Sequence, residues 1–142
     1  MKVLVVEDNP IIRTDFAHQF QKAGHDTAQA KDGDEAMHFL EAGRKFDLIV
    51  LDMKTPILSG ECFLKRANAA GLLQGVAIGV TAYPEEMARG KELTKELPQY
   101  VGTLRKVLDT DDLPAAVSAK LAERRFALPM SVPNGRDTMR PE

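Results

Sequence analysis

Phe46-Asp47-Leu48-Ile49-Val50-Leu51-Asp52-Met53-Lys54-Thr55-Pro56 is an apolar run that ends abruptly in a carboxylate. Leu48 to Leu51 is too short for a core helix and lacks the alternation of a half-exposed strand. It therefore reads as a strand covered on both faces, the habit of a parallel sheet. Asp52 stands at that strand's carboxyl end, the edge where ligands bind in open α/β sheets, and Pro56 and Gly60 keep the next segment a loop. Taken alone, Asp52 reads more readily as a polar strand terminator. The rest of the chain decides between the two readings.

Before this stretch, Val3 to Val6 is a second apolar run halted by acids, here Glu7 and Asp8. Asn9-Pro10 starts a helix, with Asn9 as N-cap and Pro10 at the first helical position, where its missing N–H costs nothing. Ile12, Phe16, Phe20 and Ala23 fall on one face of it, and Gly24 ends it. His25 to Lys31 is a weaker strand suited to a sheet edge. Asp32-Gly33-Asp34 leads into a short helix with Ala36, Phe39 and Leu40 facing inward.

Beyond it, Ser59-Gly60 opens a helix with Phe63, Leu64 and Ala67 on one face, and Gly75 to Val80 forms a fourth strand that ends in Thr81-Ala82-Tyr83-Pro84. Pro84-Glu85-Glu86 suits the first turn of a helix, with acids at the positive end of its dipole. Its apolar stripe of Met87, Leu93 and Leu97 is thin and interrupted by Gly90, so this helix is expected to be the loosest. Tyr100 to Leu104 is a fifth strand. Asp109 to Asp112 caps a last helix on which Leu113, Val117 and Leu121 share a face. Residues 126–142, with three prolines and no apolar period, read as a flexible tail behind a domain of residues 1–125.

Strict alternation of strand and helix implies an α/β fold, a doubly wound five-stranded parallel sheet with right-handed crossovers and helices on both faces. The usual order for such units is the flavodoxin-like 2-1-3-4-5, which sets the first and third strands side by side.

The composition narrows the classes of function. A chain of 142 residues with formal net charge −2 has no electrostatic footprint for direct nucleic-acid contact or for an anionic membrane. The amino-terminal apolar run is too short for a signal peptide or for membrane insertion, so the expected location is cytoplasmic. Cys62 is the only cysteine, which excludes an internal disulfide and a cysteine metal cluster; a buried thiol is expected there. His18, His25 and His38 have no metal-ligand spacing.

In the order 2-1-3-4-5, Glu7, Asp8, Asp52, Thr81 and Lys106 converge on one carboxyl edge. Carboxylates crowded there repel one another, so either one is protonated or a cation sits among them. Oxygen ligands without His or Cys call for a hard ion, and room for waters and a phosphate suits Mg2+. A carboxylate nucleophile, a magnesium ion, a hydroxyl and an ammonium together are the parts for phosphoryl transfer.

On these residues the chain, over roughly residues 1 to 124, resembles a receiver domain of the two-component response-regulator family. Glu7-Asp8 matches the acidic pair, Asp52-Met53-Lys54-Thr55-Pro56 with Gly60 the phosphoacceptor loop, and Thr81-Ala82 and Lys106 the switch hydroxyl and the lysine. The resemblance implies that a sensor histidine kinase or histidine phosphotransfer protein donates a phosphoryl group to Asp52. It implies magnesium held by Asp8, Asp52, the backbone carbonyl of Lys54 and, through water, Glu7. Thr81 then moves toward the phosphoryl group and Lys106 pairs with it, while Lys54 and Tyr83 stand where they shield it from hydrolysis. Apart from self-catalysed phosphotransfer and dephosphorylation, no enzyme activity is expected. Output passes to an unidentified downstream protein or along a phosphorelay, the short tail being too small for an output domain. A homodimer formed on phosphorylation is left open.

The chain also departs from the family's pattern. Val107 follows Lys106 where proline is usual, and the usual cis peptide would cost about 3 kcal/mol there. Thr103 occupies the aromatic switch position, Tyr100 is not an obvious substitute for it, and extra residues around Pro98-Gln99 lengthen the path from Thr81 to Lys106. The alternative within the family is a degenerate receiver that binds its partner without phosphorylation. Two other readings are weaker. A phosphatase of the haloacid-dehalogenase type needs a general acid where Lys54 stands, and a flavodoxin-type nucleotide site needs glycines in the acidic turn Glu7 to Pro10.

Overall fold

The computed structural model describes residues 1–55 and 57–127. Its elements alternate without exception: β1 (Lys2–Val6), α1 (Pro10–Lys22), β2 (Asp26–Ala30), α2 (Gly33–Glu41), β3 (Leu48–Asp52), α3 (Gly60–Ala69), β4 (Val76–Thr81), α4 (Pro84–Glu96), β5 (Tyr100–Arg105) and α5 (Leu113–Ala127). All strands pair in parallel in the order β2-β1-β3-β4-β5, the expected topology. Helix starts follow local chemistry: Asn9 accepts from the amides of Ile11 and Ile12, Asp32 from Glu35, and Ser59 from Cys62.

Strand alternation divides the core in two. Val3, Val5, Leu48, Val50, Ile78 and Val80 face α1 and α5, where Phe16, Phe20, Leu113 and Val117 meet them. Leu4, Val6, Ile49 and Leu51 face α2, α3 and α4, meeting Leu40, Phe63, Leu64 and Leu93. Because successive residues of a strand point to opposite faces, an unbroken apolar run serves both layers. β3 is buried along its whole length, so Asp52 is delivered to the edge by the most enclosed strand of the sheet.

Three local expectations are corrected. In α2 the inward face is Gly33, Ala36, Met37 and Leu40, a spacing of three and four residues that leaves Phe39 only partly covered, beneath the Arg44 guanidinium at 4.8 Å. In α1 the buried positions are Phe16, Ala17 and Phe20, with Ile12 at the margin and Ala23 exposed past the end. Cys62 is exposed, because the buried face of α3 runs through Gly60, Phe63, Leu64 and Ala67 and position 62 turns outward.

α4 buries only Gly90 and Leu93 along its length. Its outer side is tied to α3 by ion pairs of Arg89 and Lys65 with Glu61 and Glu96. Helix α5 continues to Ala127, and residues 128–142, most of the expected tail, lie outside the described residues.

Candidate functional site

The carboxyl ends of β1, β3, β4 and β5 lie side by side, and the β1–β3 and β4–β5 registers bring Glu7, Asp52, Thr81 and Lys106 to one edge. Glu7 is 1% exposed and Asp52 6%, whereas Asp8 faces solvent. Carboxylate oxygens of Glu7, Asp8 and Asp52 lie within 4.8 Å of one another.

Lys106 joins the two buried acids. Its Nζ is 2.8 Å from Glu7 Oε1 and 2.9 Å from Asp52 Oδ2. The remaining oxygens accept backbone N–H groups: Glu7 Oε2 from Asn9 at 3.1 Å, and Asp52 Oδ1 from Lys54 at 3.0 Å. Burial pushes the Glu7 carboxyl up to about 7; Lys106 and the Asn9 amide pull against that, while Asp52 and Asp8 add to it. Burial draws the Lys106 ammonium down, but its close pairing with the Glu7 and Asp52 carboxylates outweighs this and leaves it above its ordinary value. No peptide bond among the described residues is cis. Lys106 reaches both acids across a trans bond to Val107, which itself takes a left-handed φ of +72°.

The other sequence-selected residues gather at the same place. Lys54 Nζ sits 4.4 Å from the centre of the Tyr83 ring, spanning the mouth between the β3 and β4 loops. Thr81 is buried, but its hydroxyl donates to Glu86 Oε1 and accepts from the Tyr83 N–H at 3.1 Å, so it is engaged with the start of α4. Glu86 is a participant that sequence reading placed only as a dipole-favoured acid. Its signal was an acid at the third helical position, from which a side chain can reach back.

Thr103 and Tyr100 meet beneath α4. Tyr100 is buried beneath α4, its hydroxyl hydrogen-bonded to Thr103 Oγ1 and near Met53 Sδ, next in sequence to Asp52. Burial pushes that phenol up to about 12, so it stays protonated.

The donor set suits a hard divalent ion. It is all oxygen, it includes an exposed carboxylate that leaves coordination positions for water, and Glu7 Oε1 makes no hydrogen bond of good geometry although buried. A doubly wound sheet in this strand order with a lysine-bridged acidic pocket at its carboxyl edge defines a flavodoxin-like α/β domain with a site suited to a hard cation.

Comparisons agree with that class. A sequence model of the response regulator receiver domain matches residues 3–118, and the chain belongs to that family. It is 32% identical over 130 residues to the alkaline phosphatase synthesis transcriptional regulatory protein PhoP of Bacillus subtilis, covering 92% of this chain and 52% of that protein. It is 36% identical over 128 residues to the transcriptional regulatory protein DltR of Streptococcus agalactiae, covering 90% of this chain and 54% of that one. The chain thus spans about half the length of these curated relatives. Among solved structures, a Francisella response regulator receiver domain superposes with TM-score 0.68 at 28% identity, covering 87% of this chain and 98% of that chain. The Thermotoga maritima response regulator TrrA, solved in complex with Mg(2+)-BeF, gives TM-score 0.68 at 25% identity over 84% of this chain and 97% of that one. The domain is a receiver of two-component signalling, a class that takes phosphoryl groups from histidine kinases and works as a switch rather than as a metabolic enzyme.

Proposed function

We propose that this chain is a phosphorylation-controlled switch that accepts a phosphoryl group from a phosphohistidine donor onto Asp52 and works in the cytoplasm. The observation that carries the reading is the buried bridge from Lys106 to both Asp52 and Glu7, since a cation held against a strand-end carboxylate is ready to follow charge that grows there. Asp52 Oδ forms a bond to phosphorus as the bond from phosphorus to the donor's imidazole nitrogen breaks, and the imidazole leaves with that electron pair. Mg2+, held by Asp8, Asp52, the Lys54 carbonyl and, through water, Glu7, would neutralise phosphoryl oxygens when bound.

Lys106 shifts its hydrogen bond from Asp52 to a phosphoryl oxygen, and the Thr81 hydroxyl turns to donate to another. Lys54 and Tyr83 lie over the mouth and hinder water.

Donor docking is supported by the apolar lip around this mouth. Ile11 in the first turn of α1, Ile57 on the loop after β3, and Val107 and Leu108 on the loop after β5 are 80%, 81%, 83% and 71% exposed. Ile57 and Val107 both hold left-handed φ values, +70° and +72°, which branched side chains adopt only at a cost of about 1–2 kcal/mol each. Strain at two loop tips that present apolar side chains beside the acceptor suits a contact surface. Output to a downstream protein would use the groove of about 510 Å³ between α4 and β5, lined by Tyr83, Pro84, Met87, Lys91, Arg105 and Leu108.

The test is intact mass after incubation with a small acyl phosphate, with and without magnesium, on the native chain and on Asp52→Asn. A magnesium-dependent gain of one phosphoryl group, absent in the variant, is expected. No gain under any condition would leave only the phosphorylation-independent interaction module.

A further inference from the structure

The amino terminus of α4 is capped through the switch hydroxyl itself. Tyr83 occupies the N-cap position, and its side chain makes no capping bond. Helices commonly solve this with a carboxylate at the third helical position, which accepts directly from the N-cap N–H. Glu86 holds that position here, yet the Tyr83 N–H donates instead to Thr81 Oγ1, and Thr81 Oγ1 donates in turn to Glu86 Oε1. The hydroxyl is interposed between the two halves of an ordinary capping box.

The backbone around Thr81 is pinned on both sides. The Met53 N–H donates to Val80 O at 3.1 Å, and the Lys106 N–H donates to Thr81 O at 2.8 Å. Any response of Thr81 to its neighbour Asp52 is therefore a rotation of its side chain. A threonine hydroxyl carries one proton. If that proton goes to an oxygen on Asp52, it is withdrawn from Glu86, and the moving oxygen also leaves the Tyr83 N–H without its acceptor.

We infer that Glu86 is a positioning residue that competes with the phosphoryl group for the single Thr81 proton, so that phosphorylation of Asp52 uncaps the first turn of α4. The inference rests on the phosphoacceptor reading of the site. The two bonds of Thr81 are mutually exclusive, which makes the rotamer of Thr81 and the cap of α4 one two-state element. The groove offered for output begins at this turn, with Tyr83, Pro84 and Met87 on its wall. A change confined to one hydroxyl thus reaches the surface through loosening of a helix end.

Amide hydrogen exchange at residues 85–87, with the amide of Tyr83, reads the cap directly. In the native chain, loading with beryllofluoride and magnesium is expected to speed exchange there about fivefold, the ratio that loss of an ordinary N-cap gives. In Glu86→Ala the same amides exchange fast before loading and respond little to it, and phosphoryl acceptance from acyl phosphate rises. Glu86→Gln retains an acceptor oxygen without the charge and is expected to stay close to native in both readouts. If Gln and Ala behave alike, loss of charge explains the effect and competition for the proton is overturned. Unchanged exchange at α4 in a native chain shown by mass to accept phosphoryl groups also overturns it. Absence of loading in the native chain defeats the phosphoacceptor reading, and the competition falls with it. Amides of β1 and β3 report whether either variant disturbs the fold.

Discussion

The two halves of the pocket are built differently. On the β1–β3 side, apolar strands deliver Glu7 and Asp52 to fixed places, and Gly60 brings α3 so close that an added Cβ would lie 2.8 Å from Asp52 O and 3.0 Å from Met53 Cα. On the β4–α4–β5 side the fit is made of side-chain hydrogen bonds between small or polar residues. Thr81 binds Glu86, Tyr100 binds Thr103, and Gly90 rests against Thr103. Close packing holds one arrangement, whereas a hydroxyl can exchange partners at little steric cost. The first half suits the chemistry and the second suits the response to it.

The largest effect should come from cutting the link between the halves. Lys106 is 18% exposed along its side chain and is the cation in contact with both buried acids. Lys106→Ala leaves Glu7 and Asp52 facing each other without it. Loss of one partner from a buried pair costs about 3–5 kcal/mol, and partial solvent access here places the expectation near 3 kcal/mol. Urea unfolding without divalent ions measures it, and a midpoint unchanged from the native chain would show that the bridge stabilises nothing.

The next effect tests the packed half by pH. A carboxyl raised by burial binds its proton more tightly in the folded state than in the unfolded one, the reverse of a salt-bridged acid. From the ordinary carboxylate value near 4.5 up to about 7, the folded chain therefore holds more protons at Glu7, and stability falls as pH rises through that window. Without magnesium the expected loss between pH 5 and pH 7.5 is about 2 kcal/mol. Glu7→Gln should flatten the profile; a profile equally steep in the variant would move the cause elsewhere.

How much of this was legible in the sequence follows the same division. Glu7, Asp52, Thr81 and Lys106 could be read because each ends or follows an apolar run, and parallel order converts run ends into neighbours. The α4–β5 side could not be read in this way. The β4–β5 register shifts between Ala77 and Ile78, so that Tyr100 pairs with Ala77 while Gly102 pairs with Ile78. That irregularity turns Tyr100 into the core under α4, where its hydroxyl finds Thr103, and no periodicity of the run Tyr100 to Leu104 announces it. The bond from Thr81 to Glu86 depended on a side-chain direction at the end of β4, and the reach of Lys106 past Val107 depended on loop geometry. Sequence pattern places residues at an edge, but which hydrogen bond each then makes is settled by packing from several elements at once.

One substitution made in both halves sharpens the contrast. Gly60→Ala puts its methyl against backbone atoms of Asp52 and Met53, which cannot turn aside, and should cost about 1–3 kcal/mol. Gly90→Ala meets Thr103 Oγ1, which turns aside only by giving up its buried bond to the Tyr100 hydroxyl, a cost of about 1–3 kcal/mol set against the roughly 1 kcal/mol that Ala gains over Gly inside a helix. Its net loss should therefore be the smaller of the two, about 0–2 kcal/mol. Thermal or urea unfolding of the pair decides the matter, and equal losses would erase the distinction between rigid and adjustable sides.

The smallest effect is expected where the halves meet over the mouth. Lys54 belongs to the β3 loop and Tyr83 to the turn before α4, and the ammonium lies 4.4 Å from the ring centre. Tyr83 is 45% exposed, so this contact adds little to stability, and the role proposed for it is control of water access to whatever Asp52 carries. Exposed contacts of this kind are worth about 0.5–1 kcal/mol, which translates to a change of roughly two- to fivefold in the decay of a phosphorylated Asp52. Tyr83→Ala should shorten that lifetime by about this factor, and Lys54→Ala should do the same without a further loss in the double variant, because either removal opens the one bridge. Decay of the phosphorylated mass with time supplies the measurement. A lifetime unchanged in both single variants would mean that water reaches Asp52 by another route, and that the bridge joins the two halves without guarding the site between them.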